Sequence, residues 1–580
     1  MKFSLDETVG LSSSIQEDLL LKRGVKEEDI DLFLNYRQMG QQYEEDKYQL
    51  KNITKAAELL DHKLRGIGKK VLIIVDSDVD GYTSASIIWK YIHKAYGLKE
   101  LDFVVHENKE VGIANDKEMN KALSSDIVIV PDAGSSQYKK HKILKENGVD
   151  VIVLDHHHTD KESKDAIVVN NQISPDYNNK ALSGAGVVFK FCQVLDDITG
   201  ENYAKDLVDL AALGIASDNM DMRSRDNIAI IRRGVHLMNQ QDKGNTFIKA
   251  LIDKKSYSLG DSVYPIDIMF YIAPLINAVI RLGTQEEKEM MFKAFILGGS
   301  KVVGSGRNNK GQMVFIEGEM ARIAGNIKRR QRKQETKGME KLSQIVDKNQ
   351  LNNKIIVLDA TNIISNSMTG LVANKIQSKY GKPTLILIKN EEDGLYYGSG
   401  RCPSGTKLDS FRKYLNNTGL VEYAEGHSSA FGICIKKENI KKLIELSNKL
   451  LKKYEFKQIY DVDFLITPQE LDSSYIFKLD EMKHLWGTDL REPLIMVTGM
   501  CVDESNLEII GKKSNIIKIQ YQGIEYIMFR AKEVINKIPD TNSYKINLIG
   551  KPNVNEWRGN IVPQIIMEDC EIKGDDGFVF

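Results

Sequence analysis

The sequence predicts an α/β protein: a parallel sheet covered on both faces, a smaller second α/β unit joined to it by a long helix, and a C-terminal β-barrel. Three observations predict this. Between residues 71 and 170, short unbroken apolar runs alternate with helical stretches, as strands buried on both sides do. A second alternation begins at KIIVLDA (354–360). From about residue 460 the pattern changes to short strands with turns between them.

The elements follow in order. Residues 1–70 read as helices, because SSIQEDLLLKRGV, EEDIDLFLNY and ITKAAELLDHKLRGI space apolar residues three and four apart. VLIIV (71–75), DFVVH (102–106), DIVIVPD (126–132), DVIVLD (150–155) and AIVVN (166–170) predict the strands of the parallel sheet. SASIIWKYIHKAYG and SQYKKHKILKENG are helices between them. A helical region runs from about 183 to 300. Residues 312–348 read as one long helix, with Ile316, Met320, Ile323 and Ile327 on one stripe. PTLILIK and GLYYGSGR continue the second unit, which closes with a helix at 437–453. LIMVTGMCV, NIIKIQYQGIEYIMFRA and YKINLIG are the strands of the barrel. The expected division is 1–70, 71–311, 312–350, 351–458 and 459–580.

Bulk properties exclude several classes. A chain of 580 residues exceeds one core, and 42% hydrophobic with 28% charged residues suits a globular protein. No apolar run is read as approaching the roughly 18 residues of a membrane span. The start, MKFSLDETVG, has no apolar signal core, so a cytoplasmic location is expected. Cys192, Cys402, Cys434, Cys501 and Cys570 are scattered without CxxC spacing, against a disulfide framework or a zinc site. The net charge of −1 means that a nucleic-acid partner needs a local basic surface.

The chemistry gathers where a parallel sheet binds ligands, past the carboxyl ends of its strands. The first strand ends in Asp76, Asp78 and Asp80, the third in Asp132, and the fourth in Asp155, His156, His157 and His158. Asp218 follows the apolar run LVDLAALGIAS. Like charges this close either raise a pKa or require a counter-charge, and a divalent cation is the simplest. Carboxylate oxygen with some imidazole suits Mn²⁺ or Mg²⁺. The donors exceed one ion's need, so two ions about 3.5–4 Å apart are expected, an arrangement that activates water for in-line displacement at phosphorus. A lone Asp after a strand is usually a turn residue or helix cap, and Asp160, Asp165 and His158 are read that way. The clustered motifs on sister strands are read as ligands.

DSDVDG, PDAGSS, DHH (155–157) and Asp218 together resemble the four motifs of the DHH phosphoesterase superfamily. IAPLINAVIRLG (272–283) and SGAGVVFKF (183–191) narrow the resemblance to RecJ-type exonucleases. MTGLVANKIQSKYGKPTLIL, GSGR (398–401) and EGHSSAFG (425–432) are similar to the DHHA1 domain, and VNEWRGNIVPQIIMEDCEI to the RecJ OB domain. The resemblance covers nearly the whole chain. It implies a 5′-to-3′ exonuclease that degrades single-stranded DNA to mononucleotides with Mn²⁺ or Mg²⁺, in repair, recombination or replication. A single-stranded-DNA-binding protein or a helicase is the expected protein partner.

The resemblance also implies roles. Asp76, Asp78, Asp80, Asp132, His156 and Asp218 hold the metals, with Asp132 as the bridge. Asp155 orients the histidines, and His157 meets the scissile phosphate or assists proton transfer. Arg281, Ser399, Arg401, Gly426 and His427 hold phosphates. Two departures stand out. Many relatives carry a histidine where this chain has Ile74, so Asp76 is expected to take that ligand position. The usual Gly-Gly-His is Glu425-Gly426-His427 here. Lys328, Arg329, Arg330, Arg332 and Lys333 are either a solvated helix face or a DNA-tracking surface. Tyr521, Tyr526, Phe529 and Arg530 are candidate base-stacking and phosphate contacts. The alternative is a DHH phosphodiesterase acting on short oligonucleotides, phosphoadenosine phosphate or cyclic dinucleotides, which generally lacks the OB extension. A third reading, a non-catalytic binding module, requires lost acidic motifs, and none is lost.

Overall fold

The structure, a computed structural model, describes residues 3–4, 10–35, 40–66, 68–98, 101–107, 111–403, 406, 408–456, 459–511, 515–557 and 559–573. Helices α1 (Ile15–Lys22) and α2 (Ile53–Leu64) precede the first sheet. That sheet is parallel throughout. Its strands are β1 (Val71–Val75), β2 (Leu101–Val105), β3 (Ile127–Pro131), β4 (Asp150–Asp155) and β5 (Ile167–Asn170), in the order β2-β1-β3-β4-β5. Alternate residues of β1 enter different cores: Val71, Ile73 and Val75 on one face, Leu72 and Ile74 on the other. A strand buried on both sides must be apolar at every position, which is why the runs were unbroken. The chain lays β2 on one side of β1 and β3 on the other, so the order reverses between β1 and β3. Ligands collect outside such a switch point.

Helices α3 (Val79–Tyr96), α4 (Gly184–Thr199) and α5 (Val208–Ser217) pack together over one face of this sheet. Further on lie α6 (Thr246–Leu259) and α7 (Ala273–Leu282). One stretch, Pro265–Leu282, is long and apolar enough to cross a membrane by length and composition alone, with mean hydropathy 1.5. This corrects the expectation that no run reaches that length. It is 44% buried and packs on the connecting helix, as an interior helix of a globular lobe does.

The connecting helix α8 (Ile316–Asn349) starts later than expected, because Met313–Phe315 forms a short hairpin with Lys301–Val303. At 34 residues it spans about 51 Å. Ile316, Met320, Ala324 and Ile327 join the core of the first lobe, while Leu342 and Val346 join a core of the second. One helix thus fixes the two lobes to each other. The second lobe contains β6 (Ile356–Asp359), β7 (Thr384–Lys389), β8 (Tyr396–Arg401), β9 (Val421–Gly426) and β10 (Ala430–Ile435), in the order β9-β10-β8-β7-β6. Only β6 and β7 run parallel; the other pairs are antiparallel. Helix α9 (Thr369–Tyr380) crosses between β6 and β7.

The C-terminal sheet has seven strands, and the end strands Phe464–Ile466 and Leu507–Ile510 do not pair with each other among the described residues. Its core is continuous with that of the first lobe and of α1. Asp463, fully buried, takes both guanidinium arms of Arg23 at 2.8 and 2.7 Å and the Lys22 ammonium at 2.8 Å. Burial would raise this carboxyl's pKa, but the two cations hold it below the ordinary range.

Candidate metal centre

β1 ends at Val75 and the chain turns into α3 through Asp76, Ser77 and Asp78. Asp78 caps α3, its Oδ1 accepting the Gly81 N–H at 2.9 Å. Asp76 is buried and accepts the Gly112 N–H at 3.1 Å. Asp80 faces the start of α4. Its Oδ2 accepts the Gly184 N–H at 2.7 Å, and its Oδ1 accepts the Ser183 hydroxyl at 3.0 Å and the Ala185 N–H at 3.1 Å. The SGAG motif is therefore a helix N-terminus that fastens a carboxylate.

Asp132 follows β3 with φ +61°. Both its carboxylate oxygens are buried and, among the described residues, accept no N–H or hydroxyl hydrogen bond; their polar neighbours are the Asp80 carboxyl and the His156 ring. His156 Nε2 stands 3.2 Å from Asp132 Oδ1, 3.6 Å from Asp218 Oδ2 and 3.8 Å from Asp80 Oδ2. Three overlapping groups have ligand atoms within 4.8 Å of one another: Asp76, Asp78 and Asp132; Asp80, His156 and Asp218; Asp132, His156 and His157. The six expected ligands thus lie together, with Asp132 common to two of the groups. Two glycines make the room. A Cβ on Gly184 would sit 2.3 Å from Asp132 Oδ1, and one on Gly214 would sit 2.3 Å from Asp80 Oδ1.

The electrostatics are those of a site short of positive charge. Burial, then Asp78, pushes Asp76 up to about 7. Burial, then Asp80 and Asp78, pushes Asp218 up to about 8. Burial and four neighbouring carboxylates hold Asp132 well above the ordinary range. Burying a charge without a partner is costly. A buried carboxylate without an N–H or hydroxyl donor among the described residues, beside other carboxylates and two imidazoles, fits a hard divalent cation.

Asp155 belongs to a different arrangement. Its Oδ1 accepts the N–H groups of His156 (2.7 Å) and His157 (3.1 Å), and pairs with His157 Nδ1 at 2.8 Å; its Oδ2 accepts the Ser135 N–H at 3.0 Å. Burial would raise its pKa, but these bonds, His157 first, hold it far below the usual range. His157 is exposed and raised to about 9, chiefly by its bond to Asp155. Asp155 thus holds the His157 ring and, through backbone N–H groups, the 156–157 turn. His158 is exposed, as a turn residue would be.

His106 was not anticipated. Fully buried at the end of β2, its Nε2 stands 3.9 Å from Asp76 Oδ1 and its Nδ1 3.3 Å from Glu118 Oε1. The signal was present: DFVVH places a histidine past a strand end of the same sheet. Ile74 lies fully buried in the sheet.

These shifts predict a pH dependence. Asp76, Asp218 and His157 all have folded pKa values above their unfolded ones, so the metal-free fold holds these protons more tightly than the unfolded chain. Their stabilising contribution is lost as pH rises through roughly 7 to 9. In chelator, the thermal midpoint is expected to fall between pH 7 and 9. The gain on adding Mg²⁺ is expected to grow over the same range, because the cation needs deprotonated ligands. Melts at pH 7, 8 and 9 check this, and a metal-free midpoint that rises with pH contradicts it.

The phosphate candidates gather in the second lobe and at its border. Arg401 ends β8 and is half-buried; burial and the nearby Arg281 charge both lower its pKa. A Cβ on Gly370, in the first turn of α9, would lie 2.9 Å from the Arg401 guanidinium. The Ser399 and Thr369 hydroxyls are 3.0 Å apart. Arg281, at the end of α7, is exposed. His427 is exposed at the tip of the β9–β10 hairpin, next to Gly426 with φ +127°. Arg401 pairs with Ala430 in the ladder, so His427 and Arg401 share one edge of the sheet.

The basic run of α8 divides. Lys328 is partly buried and donates to Gln331 Oε1 at 2.8 Å, and Arg330 donates to the Leu282 carbonyl at 2.9 Å. Arg329, Arg330, Arg332 and Lys333 are exposed. Tyr526 is fully buried, which corrects its reading as a stacking residue. Tyr521 is partly buried and its hydroxyl accepts from Gln469 at 3.0 Å, whereas Phe529 and Arg530 are exposed.

Comparison with known proteins agrees with this architecture. The DHH family, N-terminal domain, matches residues 70–215, and the RecJ OB domain matches residues 462–569. A prophage-derived protein of Bacillus subtilis (strain 168), which bears the name of a single-strand DNA-specific exonuclease, YorK, is 36% identical over 562 residues, covering 96% of this chain and 95% of that one. The single-stranded-DNA-specific exonuclease RecJ of the same organism is 24% identical over 568 residues, covering 96% and 67%. The crystal structure of RecJ from Thermus thermophilus in complex with Mn²⁺ superposes with TM-score 0.72 at 19% identity, covering 97% of this chain and 79% of that one. The chain belongs to the RecJ-type exonucleases of the DHH phosphoesterase superfamily.

Proposed function

We propose that this chain hydrolyses single-stranded DNA from the 5′ end, releasing mononucleotides, with two Mn²⁺ or Mg²⁺ ions. The observation that carries the reading is Asp132: a buried carboxylate with no N–H or hydroxyl donor among the described residues, common to two ligand groups at the switch point of a parallel sheet. The names borne by the relatives support the substrate, and the Mn²⁺ of the Thermus structure supports the cofactor.

In this reading Asp76, Asp78, Asp132, His156 and Asp218 would hold the ions, Asp132 being common to two of the ligand groups. Asp80 has three hydrogen bonds to the start of α4, so its first role is to fix α4 against α3, and it offers only its remaining lone pairs. Bound ions supply an activated water and neutralise charge at the phosphodiester. His157, kept protonated by Asp155, presents an N–H to the scissile phosphate or a proton to the leaving oxygen. Arg281, Arg401, Ser399 and the N-terminus of α9, with Gly426 and His427, receive the terminal phosphate. Two guanidinium groups and a helix N-terminus suit a dianionic chain end better than an internal, singly charged diester. This is the physical basis for attack from an end. The C-terminal domain holds the rest of the strand.

A time course on end-labelled single and double strands of DNA and RNA, with a dinucleotide as the small-substrate arm, tests the proposal. Mononucleotides released from the 5′ end of single-stranded DNA are expected. Release from the 3′ end, or turnover of the dinucleotide alone, overturns it. Arg401→Ala is expected to raise KM about tenfold on 5′-phosphorylated strands and to remove their advantage over 5′-hydroxyl strands.

A further inference from the structure

A cavity of about 670 Å³ opens on the distal half of α3, between that helix, the start of α5 and the segment 237–245. Asp80 and Lys90 are ten residues apart on α3, so roughly 15 Å of helix separates this cavity from the carboxylate cluster. Nothing in the nuclease reading uses it, and its size falls within the usual range for small-molecule sites.

Its polar groups can be matched one by one. Both rim carboxylates are already occupied. Asp209 accepts the backbone N–H groups of Asn245 and Leu210, and Asp206 pairs with Lys94 at 3.0 Å. What remains unmatched is a set of donors. Trp89 Nε1 is buried without a hydrogen-bond partner among the described residues. Lys90 is largely desolvated, which lowers its pKa; the charge of Asp209 offsets this in part, and the ammonium makes no hydrogen bond or ion pair among the described residues. Lys243 stands exposed on the rim. An ammonium held out of water with no hydrogen-bonded acceptor is unfavourable, and an anion within reach relieves it. The same walls carry flat apolar surface. The Trp89 and His93 rings stack at 4.8 Å with 22° between their planes, and Tyr203 lies under Lys94 at 4.2 Å.

Donors without acceptors, beside stacked aromatic rings, specify a planar ligand that carries an anion. We infer that this cavity is a second ligand site that takes a nucleoside monophosphate, its phosphate drawn to Lys90 and Lys243 and its base to the aromatic wall. The inference does not depend on what the carboxylate cluster hydrolyses.

Calorimetric titration of the full chain, in chelator, with dAMP, ribose 5-phosphate and inorganic phosphate tests it. Chelation removes any cation-dependent binding at the carboxylate cluster, and Arg401→Ala weakens the other phosphate candidate, the group around Arg281, Arg401 and His427. A dAMP site is expected that survives Arg401→Ala and weakens about tenfold or more in Lys90→Met. Lys243→Ala, at an exposed position that cannot disturb the core, is expected to weaken it about threefold. Stacking is expected to make dAMP bind about tenfold tighter than ribose 5-phosphate. Affinity that is unchanged in both lysine variants, or abolished by Arg401→Ala, overturns the site. Equal affinity for dAMP and ribose 5-phosphate overturns the nucleoside.

Discussion

Replacing Asp132 with Asn is expected to lower nuclease turnover roughly 10³-fold or more, while raising the thermal midpoint of the metal-free protein. The two effects have one cause. Asp132 is buried among Asp76, Asp78, Asp80 and Asp218, and its oxygens have no N–H or hydroxyl donor among the described residues. Without a cation, the folded state must either bear that charge or hold a proton there. The amide of Asn removes the charge at nearly constant shape. It also removes the anionic oxygens that would lie between two ions, and with them the reason the site was built unstable. Melts in chelator at pH 8, with and without Mn²⁺, read the stability effect: the variant melts higher than wild type and gains little from the cation. Initial rates on a 5′-labelled single strand read the catalytic effect. A variant that keeps its Mn²⁺ gain and its turnover removes Asp132 from the site.

Gly184→Ala reaches the same carboxylate without changing any ligand. The new Cβ would stand 2.3 Å from Asp132 Oδ1 and 2.7 Å from its Cβ and Cγ. Asp132 cannot yield easily, because its backbone is in the left-handed region and its N–H is bound to the Leu154 carbonyl at 2.8 Å. The start of α4 must shift instead, and with it the three hydrogen bonds to Asp80. A fall of about 10²-fold in turnover is expected, together with a higher metal requirement. Gly318→Ala is the control. No atom lies within 4 Å of that Cβ, and Gly318 is exposed on α8, where alanine is expected to stabilise the helix without altering turnover. Equal rates for wild type and Gly184→Ala would show that Asp132 has room the packing does not suggest.

Much of the first lobe could be read directly. VLIIV and DVIVLD coincide with β1 and β4 residue for residue, because charged residues mark where each apolar run, covered on both faces, begins and ends. The site could be read for a related reason. Ligands past the ends of parallel strands inherit the strand order, so aspartates and histidines at those ends had to meet. The same rule applied to DFVVH would have found His106. Tyr526 and Phe529 could not be told apart, because two aromatics three residues apart on a strand point to opposite faces, and only the sheet's partner shows which face is inside.

The sequence alone determined the strands, the long helix and the membership of the acid cluster, since each follows from local periodicity or from a motif at a strand end. The tertiary structure decided what the cluster's members do. Asp78 and Asp80 are two residues apart in one motif, yet the first caps its own helix and the second binds the start of α4, 104 residues away. It also decided that α1 and Asp463 share a buried ion pair and that Arg281 and Arg401 act on each other. These pairings depend on how separate elements pack, and no short window of sequence contains both partners.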